Sequence, residues 1–498
     1  MTTRRQAVAA FGGAAYQAPN QAFTRPNLLY IIADDHAGYV LGAHGNALAE
    51  TPNLDRLASQ GTRFARHYCN SPVCTPSRQS LLTGQLPHAA GVTVLKTALS
   101  PEKPTVAKQL KQAGYRTGVI GKMHFNQRGQ AGLHGFDYCQ TEGEVQRAWL
   151  AAVKPSPLPE GVRAKPAWRP FQDPARVWLN AEKLPFARVE AEMKSLYQLK
   201  LADEFMGAGG QQPFALWLSF QEPHSPYDFP AEDRDHFNPR RFPVPRVGPE
   251  DAGQIPLIFR DLRPEEKQGI IAAYYTSVRF LDRNVGRALD LLKKHGLEEN
   301  TLVVYVADHG YSLGQHGRFE KHCGYTPALH VPLMMRWPGK IRQGTVQDLT
   351  EHIDLPHTLT DLLGVPGLPV RHGQSLRPYL EGRSVSKPRD HVFSAYLENE
   401  ECFVMNAQWK LIFGSGKRKR TDGYETDNPQ PGRYVKLFDL QKDSGEFANV
   451  AAKEPKVVAK LQDLALARYR ATHPEAAEEP ARLSREESLE WYVRPRDA

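Results

Sequence analysis

The chain has 498 residues, 41% of them hydrophobic and 24% charged, with a formal net charge of +8. That length exceeds what one hydrophobic core supports, so a large domain with a smaller companion is expected, and the composition excludes a disordered or fibrous chain. No apolar run could span a bilayer, and the basic excess comes without zinc-finger spacing, an RNA-binding aromatic motif or a basic helix, which argues against nucleic acid as the partner.

Residues 1–24 carry Thr3-Arg4-Arg5-Gln6 and then a weakly apolar stretch to Ala15. This has the form of a short twin-arginine export leader, favouring a periplasmic or extracellular protein, but the apolar part is brief and no A-x-A cleavage site follows. A disordered leader on a cytoplasmic protein is the other reading. The five cysteines, Cys69, Cys74, Cys139, Cys323 and Cys402, show no spacing of a disulfide framework or zinc site.

From residue 25 to about 370 the pattern is that of an α/β layered domain with a mainly parallel central sheet. Five apolar runs, Asn27–Ala33, Arg116–Gly121, Phe214–Phe220, Leu302–Ala307 and Val331–Trp337, read as buried parallel strands. Helical patterns over Asn53–Ser59, Thr105–Ala113 and Glu265–Lys294 alternate with them. The pattern weakens over about 142–200, where seven prolines sit among Trp149, Trp168 and Trp178. This segment is expected to be an insertion packed over the domain, walling a substrate site or forming plain surface loop. Residues 371–498 change character: four short runs predict a small antiparallel sheet, and Lys456–Arg470 an amphipathic helix, making an α+β subdomain. Lys417-Arg418-Lys419-Arg420 reads as a solvated basic hairpin.

Polar residues follow four of the apolar runs: Asp34-Asp35, then Lys122 and His124, then His224, then Asp308-His309. Ligands of open α/β sheets bind beyond the carboxyl ends of the strands, so four segments are expected to deliver these groups to one rim. Asp34-Asp35 and Asp308-His309 can enclose a hard divalent cation, the histidine nitrogen leaving manganese or magnesium open beside calcium. Lys122 and His124, at i and i+2, are expected to face one target. Prolines on both sides of His224 stiffen its backbone.

Between the first and second of these runs lies Cys74-Thr75-Pro76-Ser77-Arg78-Gln79-Ser80-Leu81-Leu82-Thr83-Gly84. Pro76 suits a first helical turn and Gly84 the far end. Cys74 is then at a helix N-terminus, where an anion is favoured, with Arg78 one turn on along the same face. Lys321 adds a further cation shortly before Val331-Pro332-Leu333.

The eleven residues Cys74–Gly84, with Thr51–Ala58, Gly135-Phe136-Asp137 and Val331-Pro332-Leu333, resemble the type I sulfatases, most of residues 26 to 340 sharing the likeness. The resemblance implies an alkaline-phosphatase-like fold and conversion of Cys74 to formylglycine by a formylglycine-generating or sulfatase-maturating enzyme. It implies a calcium ion on Asp34, Asp35, Asp308, His309 and the position-74 oxygen. Lys122, Lys321 and Arg78 would meet charge on the sulfuryl oxygens, His224 would protonate the departing alcohol, and His124 would take the proton that releases sulfate. The stretch Gly121–Phe125 with Leu133–Asp137 is similar to choline sulfatases and phosphonate monoester hydrolases. The paired aspartates, Asp308-His309 and His224 are more similar to iduronate-2-sulfatase and other glycosaminoglycan sulfatases. The expected substrate is thus a sulfate ester, of a small molecule or an oligosaccharide such as a glycosaminoglycan fragment. A phosphonate or phosphodiester hydrolase and a carbohydrate-binding protein without turnover are the rival readings.

Overall fold

The computed structural model describes residues 25–126, 133–417, 420, 423–426 and 432–497. The leader and Arg418-Lys419 of the basic run lie outside the described residues. The core is a nine-stranded sheet of β1 (Asn27–Asp34), β2 (Thr62–Tyr68), β3 (Arg116–Gly121), β4 (Tyr138–Thr141), β5 (Phe214–Pro223), β6 (Thr301–Ala307), β7 (His330–Val331), β8 (Leu333–Arg336) and β9 (Gly344–Glu351). Its order is β4-β3-β5-β1-β6-β8-β2-β7, with β9 beside β2.

Strands β4, β3, β5, β1 and β6 all run parallel, so their carboxyl ends share one rim. All eight residues of β1 are buried, as a strand covered on both faces requires. Leu28, Tyr30 and Ile32 enter one core with Leu81, Leu82, Leu110, Leu355 and Leu359. Leu29, Ile31 and Ala33 enter the other with Leu199, Phe205, Leu281 and Val285. Period-2 alternation therefore feeds two hydrophobic layers, each fully buried large side chain contributing about 1.5–3 kcal/mol. The long helix Pro264–Lys294 and the helix Lys194–Gly207 cover the second face.

The run Val331–Trp337 departs from expectation. It splits at Pro332 into β7 and β8, and β8 pairs antiparallel with both β6 and β2. Pro332 has no N–H to give a ladder. A parallel return would need a crossover element, whereas the connection after β6 contains only the one-turn helix Thr326–Leu329 among its α-helices. Residues 142–152 and 194–207 are helices, so irregular chain dominates only between them. The C-terminal sheet is antiparallel, β10 (Val392–Tyr396), β11 (Glu401–Met405), β12 (Trp409–Gly414) and β13 (Tyr434–Asp439), backed by the helix Pro455–Thr472.

Candidate active site

The site begins with the helix that follows β2. The helix Cys74–Thr83 starts at Cys74 after an extended Val73 and ends at Gly84, whose left-handed φ of 67° caps it. All ten of its residues are buried, so its amino end and dipole act in a water-poor pocket. The thiol there faces the rim, meeting groups that follow β1, β3 and β6.

Lys321 Nζ lies 3.1 Å from Cys74 Sγ, His309 Nε2 3.2 Å, Asp34 Oδ1 3.7 Å and Lys122 Nζ 3.9 Å. Burial works to raise the thiol pKa, and the Lys122 and Lys321 ammoniums override it and hold it below its ordinary value. A thiolate or other anion at this position is therefore favoured.

Around it stand the carboxylates. Lys122 is ion-paired with Asp34, and Lys321 with Asp35 at 2.7 Å. Burial opposes ionisation of Asp34, yet Lys122, His224, Arg78 and Lys321 hold it well below the usual carboxylate range. Asp35 is pushed up to about 7, burial outweighing Lys321 and His309. Its backbone is left-handed, φ 68°, a conformation aspartate tolerates better than most residues, and its N–H donates to Asp308 Oδ1 at 3.1 Å. His309 reaches Asp308 Oδ2 at 3.5 Å and Asp35 Oδ1 at 3.3 Å. Burial lowers its pKa, but Asp308 and Cys74 raise it to about 9.

The donors fall into two overlapping groups, Asp34, Asp35, Cys74 and His224, and Asp34, Cys74, Asp308 and His309, with ligand atoms within 4.8 Å of one another in each. Asp35 Oδ2 is buried without a hydrogen-bond partner among the described residues. Carboxylate oxygens packed this closely, one of them orphaned, fit a hard divalent cation.

Arg78 engages the strand ends through two of its three nitrogens. Its Nε donates to Asp308 Oδ2 at 2.8 Å and its Nη1 to Ser219 Oγ at 2.8 Å and to the Lys122 carbonyl. Nη2, 3.6 Å from Asp34 Oδ1, has no hydrogen-bond partner among the described residues. The guanidinium thus braces both acidic strand ends.

Lys122 and His124 are brought near the site by a turn rather than by strand alternation. Gly121 has φ 102° and a Cβ there would meet the Ser219 carbonyl at 1.9 Å, while His124 is itself left-handed at φ 52°. Alternation therefore stops at the strand end. His124 Nδ1 is buried without a partner among the described residues; burial first, then Lys122 and Arg78, push its pKa down to about 3. His224 follows β5, its Nε2 3.9 Å from Asp35 Oδ2 and its Nδ1 2.6 Å from the Ser225 carbonyl, which sets Nδ1 as the N–H bearing atom of the neutral ring. Burial, with Lys122 and Lys321, holds its pKa well below the ordinary value.

Several contributors escaped the sequence reading. Ser219 donates to the Lys122 carbonyl at 2.6 Å, Ser77 donates to the Asp308 carbonyl, and His352 Nε2 meets that carbonyl at 2.9 Å. Behind His352, His67 closes a buried chain to Thr350. These contacts join distant segments and leave no local signature.

Residues 26–365 match the Sulfatase family, and the chain belongs to it. Residues 314–470 match the family described as N-sulphoglucosamine sulphohydrolase, C-terminal. The Arylsulfatase of Clostridium perfringens (strain 13 / Type A) is 28% identical over 465 residues, covering 86% of this chain and 91% of that protein. The Choline-sulfatase of Rhizobium meliloti (strain 1021) is 27% identical over 500 residues, covering 94% and 91%. The phosphonate monoester hydrolase of Agrobacterium radiobacter shares the fold with a TM-score of 0.75 at 24% identity, over 91% of this chain and 97% of that one. The protein is a sulfuric ester hydrolase with the alkaline-phosphatase-like α/β architecture, in a family that uses a metal and formylglycine.

Proposed function

We propose that this sulfatase hydrolyses sulfate esters of a carbohydrate, with Cys74 converted to formylglycine by a maturating enzyme and a divalent cation, calcium before manganese or magnesium, held by Asp34, Asp35, Asp308 and His309. The single observation behind this reading is the ring of Lys122, Lys321, His309 and Asp34 within 4 Å of Cys74 Sγ. The carbohydrate assignment rests on the match of residues 314–470 to an N-sulphoglucosamine sulphohydrolase segment. We further propose residues 25–370 as the catalytic domain and 371–498 as its companion, with export through the residues preceding 25.

When present, the hydrated aldehyde supplies a hydroxyl nucleophile and a second hydroxyl whose deprotonation expels sulfate, and the cation supplies positive charge to the sulfuryl oxygens. The chain's own groups do the rest. Lys122 and Lys321 aim ammoniums at the place where charge grows, which is the dominant electrostatic contribution. Arg78, through Nε, and His352 hold Asp308 in position, and the expected contact of Arg78 with a sulfuryl oxygen falls to its Nη2. His224, anchored through Nδ1, rests neutral with Nε2 bare, so it would donate to the departing alcohol as the imidazolium, with Lys321 assisting. His124, neutral at physiological pH, accepts the proton that frees the product.

The rival is a phosphonate monoester or phosphodiester hydrolase, because the same cations suit phosphoryl oxygens. A steady-state comparison of an aryl sulfate with an aryl phosphate diester separates them. A kcat/KM larger for the sulfate supports the proposal, and one larger for the diester defeats it.

A further inference from the structure

Beside His224 lies a cavity of about 210 Å³ lined in part by Trp149, Trp168, Phe186, Lys165, Lys194 and Glu222. Pockets for drug-sized ligands measure about 300–1,000 Å³, so this one suits a single ring better than an extended chain. His224 ties it to the proposed reaction site, since its ring lines the cavity and its Nε2 lies 3.9 Å from Asp35.

The lining has two characters. Trp168 is 42% exposed, and its ring lies 5.6 Å from that of His224 in an edge arrangement. Trp149 has its indole N–H donated to the Glu192 carbonyl at 2.8 Å, which leaves its ring as a wall. An exposed aromatic face suits the C–H face of a sugar, while polar neighbours take its hydroxyls. One such neighbour is waiting: Glu222 is 4% exposed, accepts from Ser195 on Oε1, and has Oε2 buried with no partner among the described residues.

One pair of opposite charges in the lining is already matched, and the other two groups lie in the same wall. Lys165 is ion-paired with Asp228, and Lys194 donates to Gln221 Oε1 in the same lining as Glu222. Two ammoniums therefore stand with two carboxylates. A carboxylate or second sulfate on the ligand would meet Asp228 and Glu222, and a quaternary ammonium would meet the two lysines.

Resting on the sulfate-ester reading above, we infer that this cavity receives one uncharged pyranose ring bearing the scissile sulfate as its only charged group. Asp228 acts here as the discriminator against further anionic groups by occupying Lys165.

The test is calorimetric binding to Cys74→Ala protein, which does not depend on turnover. The probes are a hexose 6-sulfate, the same hexose with a second sulfate, and choline sulfate. The hexose monosulfate should bind roughly tenfold more tightly than either other probe, the scale of one well-placed polar contact. Adding Asp228→Asn frees Lys165 and should shift the disulfate-to-monosulfate affinity ratio about tenfold toward the disulfate. Tighter binding of the disulfate or of choline sulfate by Cys74→Ala protein, or a ratio untouched by Asp228→Asn, overturns the inference. Failure of the unaltered enzyme to hydrolyse an aryl sulfate would instead strike the reaction assigned above, leaving the ring-binding result to stand by itself.

Discussion

The Arg78 guanidinium meets the Asp308 carboxylate at 2.8 Å, with neither side chain exposed to water. Arg78 comes from the helix that starts at Cys74, and Asp308 follows β6. This one contact therefore locks the proposed nucleophile to the proposed cation-binding strand ends.

Breaking that pair leaves a buried carboxylate unpaired, which costs about 3–5 kcal/mol. Arg78→Ala should lower the urea midpoint accordingly, without a change in the slope of the transition. Arg78→Lys keeps the charge but cannot reproduce the three directed bonds of the guanidinium to Asp308, Ser219 and the Lys122 carbonyl, so it should also lose stability, by a smaller amount.

Lys321 touches both Asp35 and Cys74. Removing one donor of developing charge lowers turnover by about 100- to 1,000-fold. Lys321→Ala should reduce kcat by that order toward an aryl sulfate while the circular dichroism spectrum stays that of the unaltered protein.

Chelation should abolish sulfate release, and calcium added back should restore it. A cation bound only by the folded state adds about 2.7 kcal/mol at one hundred times its dissociation constant. The melting temperature should therefore rise with calcium concentration in unaltered enzyme, and rise much less in Asp34→Asn protein.

The part of the site that could be read from the chain is the part marked by abrupt changes in polarity. Asp34-Asp35, Lys122, His224 and Asp308-His309 each interrupt or follow an apolar run, and a parallel sheet gathers such ends on one rim. Strands β2 and β9 gave no such signal. Thr62–Tyr68 mixes Arg63, Arg66 and His67 with its apolar residues and lies only partly buried. The direction of β8 was also hidden, because pairing partners are chosen by the route of the chain and not by the strand's own composition. Spacing places Arg78 beside Cys74, but its bonds to Ser219 and Asp308, from strands far along the chain, leave no signal in the sequence around it.

Folding stability should fall as the medium is acidified, and His330 is one measurable source. Burial, with His44 stacked at 5.5 Å, depresses its pKa to about 4. The unfolded chain binds this proton near pH 6.5 and the folded chain only near 4, so the stabilising contribution is full above 6.5 and is lost on descent toward 4. The loss runs at about 1.4 kcal/mol per pH unit. His330→Gln should flatten the dependence of urea-unfolding free energy on pH across that window by about one proton.

Turnover depends on what stands at position 74. Mass spectrometry of the tryptic peptide containing that residue, from protein made in its native host, reads it directly. An aldehyde or its hydrate in the active fraction is the result the account predicts. A fully unmodified Cys74 thiol in protein that releases sulfate at full rate would contradict it.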